Sequence, residues 1–169
     1  MTLQAVDQRV VLSLGEWAVS KDPDAELVCL GLGSCIAFAV HERMAGVGGM
    51  AHMVLPDSTQ GRATSGGAKF VDLAIPLVIS EMEQMGAKRA HMKVFLAGGA
   101  RMLVGTAFQD KMLIGDRNRD ATETAMKQLG LKVAMEDTGG DHGRTVQLHV
   151  GTGVFDVHSG IKDRKAAAA

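Results

Sequence analysis

Two stretches with strand periodicity, separated by a polar break, constrain this chain more than anything else in it. Ile36-Ala37-Phe38-Ala39-Val40 alternates with period two, sending Ile36, Phe38 and Val40 to one face and Cys35, Ala37 and Ala39 to the other. His41, Glu42 and Arg43 interrupt, and Val47-Gly48-Gly49-Met50-Ala51-His52 then resumes an extended pattern. The spacing predicts an antiparallel hairpin. A tight turn centred between Arg43 and Met44 sets Cys35 directly opposite His52, with Cβ atoms about 4.5–5.5 Å apart and the thiol and imidazole in hydrogen-bond contact. Below that pair, Ala37 with Met50 and Ala39 with Gly48 are light on bulk and leave a shallow trough that a substrate side chain can enter. A bulge near Gly48-Gly49 would instead shift the register by one and turn His52 to the opposite face.

The rest of the chain reads as strands flanking two helices. Short apolar runs at Val10 to Leu14 and Leu27 to Leu30 precede the hairpin, bounded by glycine or acidic turn residues. From Ala68 to Met85 the period changes, with Val71, Ile75, Val78, Met82 and Met85 marking the apolar face of a helix kinked near Pro76 and stopped at Gly86. A strand follows at His91 to Leu96, closed by Gly98-Gly99. A second helix is expected from Asn118 to Leu129, capped by Asp116 or Asn118 and ended by Gly130. Strands near Lys132 to Glu136, Thr145 to Val150 and Val154 to Val157 complete an α/β fold, a sheet covered by helices on one side. With 169 residues and no linker or repeat, a single domain over 1–165 is expected. The alanine run from Ala166 to Ala169 is set aside as a low-complexity tail.

Composition narrows the function classes. A net charge of −1 and an aromatic share of 4%, with no tyrosine, offer neither a basic stripe nor stacking platforms, so nucleic acid is excluded as a partner. Met1 to Arg9 lacks the apolar core of a signal peptide. The most apolar run, Leu73 to Ile79, is too short to span a bilayer and contains Pro76, so no membrane insertion is expected. Two cysteines, Cys29 and Cys35, make no disulfide framework and no C-x-x-C redox motif, which fits a cytoplasmic protein with reduced thiols.

Cys35 beside His52 has the makings of a cysteine hydrolase. The imidazole stabilises the thiolate as an ion pair and returns the proton to the leaving group. The preceding Gly31-Leu32-Gly33-Ser34 lets the backbone turn sharply, and amides at Gly33 and Ser34 can form an oxyanion hole. A small buried hydrophobe and a satisfied core histidine are the plainer account of the same two residues. Gly31-x-Gly33 lacks the rest of a dinucleotide fingerprint and leads into a strand. Cys29 could join Cys35 and His52 on zinc, but no fourth ligand lies near, so neither metal nor cofactor is expected.

The ordered motifs add a resemblance. Gly31-Leu32-Gly33-Ser34-Cys35 is followed by Gly49-Met50-Ala51-His52-Met53-Val54-Leu55-Pro56, Met85-Gly86-Ala87 and Ala97-Gly98-Gly99-Ala100. Then come Ile114-Gly115-x-Arg117-Asn118 and Glu136-Asp137-Thr138-Gly139-Gly140. Together they resemble the CheD family of chemoreceptor glutamine deamidases. The resemblance implies a layered α/β/β fold like the catalytic domain of the cytotoxic necrotizing factors, with the nucleophile at Cys35 and the histidine at His52. It implies a thioester route on glutamines of methyl-accepting chemoreceptor cytoplasmic helices, and in some members on glutamate methyl esters. It also implies docking to CheC-type phosphatases, so a docking protein with little catalysis is the alternative. One departure stands out. The family places a threonine that orients the histidine six residues before the nucleophile, and this chain has Cys29 there. A cysteine side chain accepts hydrogen bonds weakly, so the backbone carbonyl of Cys29 is the expected holder of the His52 ring. A plain packed strand residue is the other reading of Cys29, and a Cys29–Cys35 disulfide belongs to a third, redox reading of the chain.

Overall fold

The alternation that predicts a hairpin produces two strands buried on both faces. The computed structural model describes residues 8–60, 67–102, 109–160 and 164–167. The central strands are β4 (Ile36–Glu42) and β5 (Val47–Met53), every residue of which is buried. Around them run β1 (Arg9–Val11), β2 (Trp17–Ser20), β3 (Glu26–Leu32), β6 (Lys93–Gly98), β7 (Val133–Thr138), β8 (Arg144–His149), β9 (Val154–Ser159) and β10 (Arg164–Ala167). They form two five-stranded sheets, ordered β1-β3-β8-β9-β10 and β2-β5-β4-β6-β7. Each sheet is mixed, since β1 runs parallel to β3 and β6 runs parallel to β7. Helices α1 (Val71–Gln84) and α2 (Gln109–Leu129) cover the outer face of the second sheet, giving the α/β/β layering that the resemblance implies.

The side chains of β4 sort by size between the two interfaces. Ile36, Phe38 and Val40 pack toward the helices with Val78, Met82 and Met126. Ala37 and Ala39 face the other sheet, where Phe95 and Phe155 stack with centroids 5.2 Å apart. Ala39 is the cross-strand partner of Phe95, so the small residue makes room for the large one. The trough expected beside Ala37 and Ala39 is therefore filled by the opposite sheet. The glycines of β5 serve the same packing: a Cβ on Gly48 would meet Val150 at 3.0 Å, and one on Gly49 would meet Val78 at 2.9 Å.

The hairpin register differs from the expected one by two residues. Ala37 lies opposite His52 and Ile36 opposite Met53, without a bulge. The Glu42 carboxylate accepts hydrogen bonds from the Met44 and Ala45 amides, and Gly46 takes φ +64°, so the turn has four residues rather than two. A shift of two preserves every face, which is why Cys35 and His52 still point into the same layer.

Other boundaries moved for local reasons. The second helix begins at Gln109, and Asn118 lies inside it rather than at its cap. Gly115, inside this longer helix, is a contact residue, because a Cβ there would sit 2.5 Å from the Ala100 carbonyl oxygen. Pro76 lies within α1 on its exposed side. β2 is a half-buried edge strand too short to show a pattern. The alanine run is not wholly a tail, since Ala166 and Ala167 pair with Phe155 and Val154. Met1 to Asp7, Ala168 and Ala169 lie outside the described residues.

A buried ion pair joins the two sheets beside the loop at 139–143. The Arg144 side chain, 2% exposed, donates to Asp137 Oδ1 at 2.9 Å. Asp137→Ala leaves a buried guanidinium without its counter-charge, and loss of one partner of a buried pair costs about 3–5 kcal/mol. Urea unfolding should show a loss of that size. A change below about 1 kcal/mol would mean that water or Glu136 replaces the carboxylate.

Candidate functional site

A bulge delivers the chain to Cys35. Cys29 pairs with Val146 but Leu32 with Arg144, so one extra residue is inserted in β3. Gly31 carries the left-handed turn at φ +60°, and Leu30 is pushed out to 51% exposure. Cys29 and Leu32, three apart, can then both be buried against the same inter-sheet core. The segment Gly33-Ser34-Cys35 crosses from this sheet to the other one and starts β4.

Three consecutive carbonyls of that segment are tied down. Gly33 O accepts from the Ala100 amide at 2.8 Å, and Cys35 O accepts from the Gly99 amide at 2.8 Å. Ser34 O accepts from Asn118 Nδ2 at 2.9 Å. Gly98 makes the approach possible: its φ is +108°, and a Cβ there would lie 2.1 Å from the Cys35 carbonyl oxygen. Next to it, the Gly139 amide binds Gly98 O and the Arg101 amide binds Gly140 O, so both glycine motifs buttress the same segment. The Met102 side chain lies over Gly33, where a Cβ would meet its Cγ at 3.1 Å.

His52 is held by a separate turn. Its backbone N–H donates to Glu16 O, its carbonyl accepts from the Gly15 amide, and its ring Nδ1 lies 3.0 Å from Leu12 O. A carbonyl only accepts, so Nδ1 carries a ring proton directed at Leu12 O. Nε2 is buried and has no hydrogen-bond partner among the described residues. The orienting group is thus a backbone carbonyl, but that of Leu12 and not of Cys29. No sequence signature marks it, because any residue supplies a carbonyl.

The corrected register makes Cys35 and His52 diagonal neighbours. Ala37 takes the position opposite His52, and diagonal Cα pairs lie about 7–8 Å apart with long side chains still in reach. The expected thiol–imidazole hydrogen bond is not formed in this structure. Burial raises the Cys35 thiol above its ordinary pKa range. The unmade thiol–imidazole contact and the raised thiol both depart from the expected preformed ion pair. Cys29 is fully buried, lies 3.4 Å from Met50 Sδ, and is pushed up to about 12 by burial and by the nearby Cys35. It is a packed thiol, and both cysteines are unpaired.

Met50 and Met53 are buried in the core and Met44 is at the far turn, whereas Met102 lies beside Gly33. Asn118 is the site residue that pattern reasoning missed. It is fully buried, and Nδ2 bridges Ser34 O to Val54 O at 3.0 Å, two residues past His52. Its only sequence signal was its place in a motif, which suggested a helix cap. Among the described residues no three His, Cys, Asp or Glu side chains converge as a metal site would need. No described helix is long and apolar enough to cross a membrane. A raised thiol makes a checkable statement: the alkylation rate of Cys35 by iodoacetamide should keep climbing with pH beyond about 8.5, the ordinary thiol value. A plateau already reached near neutral pH would mean a preformed ion pair.

Comparison with known proteins agrees with the resemblance. The family model described as CheD chemotactic sensory transduction matches residues 54–159. That range begins after His52, so the Cys35 and His52 pair rests on its own geometry. A Clostridium novyi protein named probable chemoreceptor glutamine deamidase CheD is 39% identical over 140 residues, covering 81% of this chain and 85% of its own. A Clostridium botulinum protein of the same name is 37% identical over 149 residues, covering 86% and 90%. A solved Neisseria meningitidis protein of the DUF152 family model is a looser likeness, at 11% identity and TM-score 0.43 over 79% of this chain and 62% of its own. With more than half of the chain matched by the family model and relatives near 40% identity over most of both lengths, the chain belongs to the CheD family.

Proposed function

We propose that this protein is a cytoplasmic cysteine hydrolase that converts glutamine side chains on methyl-accepting chemoreceptors into glutamate, with Cys35 as nucleophile and His52 as its base. The observation that carries the reading is the Nδ1–H to Leu12 carbonyl bond, which leaves Nε2 buried and without a partner among the described residues in the layer that Cys35 faces. The relatives' names supply the substrate class.

The raised thiol shapes the chemistry. Because Cys35 starts protonated, His52 Nε2 takes the thiol proton as sulfur attacks the carboxamide carbon. Rotation of Cys35 about χ1 brings the diagonal pair into contact for that step. The carbonyl π electrons move to oxygen, where backbone amides of the Gly33-Ser34 segment receive the negative charge. The tetrahedral intermediate collapses, the C–N bond breaks, and His52 gives its proton to the departing ammonia, leaving a thioester. Water, deprotonated by His52, attacks the thioester, and the C–S bond breaks to return the thiol and release glutamate. A glutamate methyl ester follows the same route with methanol as leaving group. The steps use no metal or cofactor. A receptor helix would present its glutamine from the exposed side of Ser34 and Met102, and a CheC-type phosphatase is proposed to dock on the same rim.

Ammonia release and the glutamine-to-glutamate mass shift on a receptor cytoplasmic fragment test this reading. Cys35→Ala and His52→Ala should each lower kcat by about a thousandfold or more. Cys29→Ala should keep kcat within about threefold, because the His52 ring is held elsewhere. Equal product from wild type and Cys35→Ala would leave a docking protein as the surviving account.

A further inference from the structure

A peptide plane held at its carbonyl is held at its amide as well. In a trans peptide the C=O of one residue and the N–H of the next point in opposite directions across a rigid plane. Asn118 Nδ2 grips the Ser34 carbonyl at 2.9 Å, and this fixes the plane that carries the Cys35 N–H. The neighbouring carbonyls at Gly33 and Cys35 are gripped by backbone amides, so Asn118 is the side chain that completes the set.

We propose that Asn118 is a positioning residue that orients the Cys35 backbone amide as an oxyanion donor, a role that rests on the deamidase reading above. The position of the side chain is built from both directions. Gly115, one turn earlier in α2, has no Cβ to collide with Gly99 O and Ala100 O at 2.8 and 2.5 Å, so the helix can lie against the segment that binds Gly33 and Cys35. Thr122, one turn later, donates to the Asn118 carbonyl at 2.7 Å. The second Nδ2 bond, to Val54 O at 3.0 Å, ties the same amide group to the residue that follows the strand carrying His52. One side chain therefore fixes the spacing between the nucleophile's peptide plane and the end of the base's strand. Asn118 Oδ1 is buried and unpartnered among the described residues, so the side chain's hydrogen bonds to the site all come from Nδ2. Donation by Nδ2 is what asparagine adds.

An oxyanion role separates from a structural one because alkylation of a thiol by iodoacetamide develops no oxyanion. Asn118→Leu should lower kcat for deamidation by about tenfold to a hundredfold, with KM within about threefold. Its Cys35 alkylation rate should stay within about twofold of wild type across the same pH range. Asn118→Asp, which keeps the size but sets an oxygen against two carbonyls, should show the same split. Met126→Ala, a core truncation on the same helix, serves as the control for lost stability and should retain kcat. Parallel loss of alkylation and kcat, or a kcat equal to wild type in both Asn118 variants, overturns the inference. A wild type without deamidation removes the underlying reading and this inference together.

Discussion

The pairing of β4 with β5 sets where both proposed reacting residues lie, because side chains in a strand alternate between faces. Cys35 stands just before β4 and His52 near the end of β5, so their meeting depends on the register of one hairpin. Any odd slip would send His52 into the helix-side core with Phe38 and Ala51. Burial resists that slip: every residue of both strands is enclosed, with Ile36, Phe38 and Val40 of β4 toward the helices and Ala37 and Ala39 toward the other sheet. A one-residue shift would drive methionines into space shaped for alanine and glycine.

Backbone groups, more than side chains, hold the site in place. Leu12 O holds the His52 ring, Gly99 and Ala100 amides hold the Cys35 segment, and Gly139 and Gly140 hold Gly98 and Arg101 in turn. Each of these approaches needs a residue without a Cβ, or a carbonyl that any residue can supply. The chain of supports ends at the Arg144–Asp137 pair, which joins the two sheets next to the glycine loop. A site built this way is rigid where the substrate carbonyl would bind. It is less constrained at the thiol, which is half-buried and makes no hydrogen bond to the imidazole.

How far the sequence could be read follows from the same division. Side-chain periodicity showed the strands around Phe38 and Met50, the α1 face from Val71 to Met82, and the shared face of Cys35 and His52. It did not show the four-residue turn at Arg43 to Gly46, because two hydrogen bonds to the Glu42 carboxylate set that length. Nor did it show that the second helix runs through Gly115, since the backbone pressed against that glycine is brought there by the fold. The motifs pointed to a missing threonine at Cys29 as the weak member of the site. The fold answers with Leu12, forty residues before His52 in sequence, through a contact that no local pattern encodes. Asn118 was visible only as a motif letter and a possible helix cap, and its meaning came from the carbonyls of Ser34 and Val54, both far from it in sequence.

The proposed reaction requires Cys35 to form a covalent bond to its substrate. Acid quenching during turnover of a glutamine-containing receptor fragment, followed by peptide mapping of the enzyme, examines that bond directly. The expected result is the fragment joined to Cys35 through a thioester, at the mass of the complex less one ammonia, and released by neutral hydroxylamine. Glutamate accumulating while Cys35 stays unmodified throughout, or an adduct carried by a different residue, would contradict it.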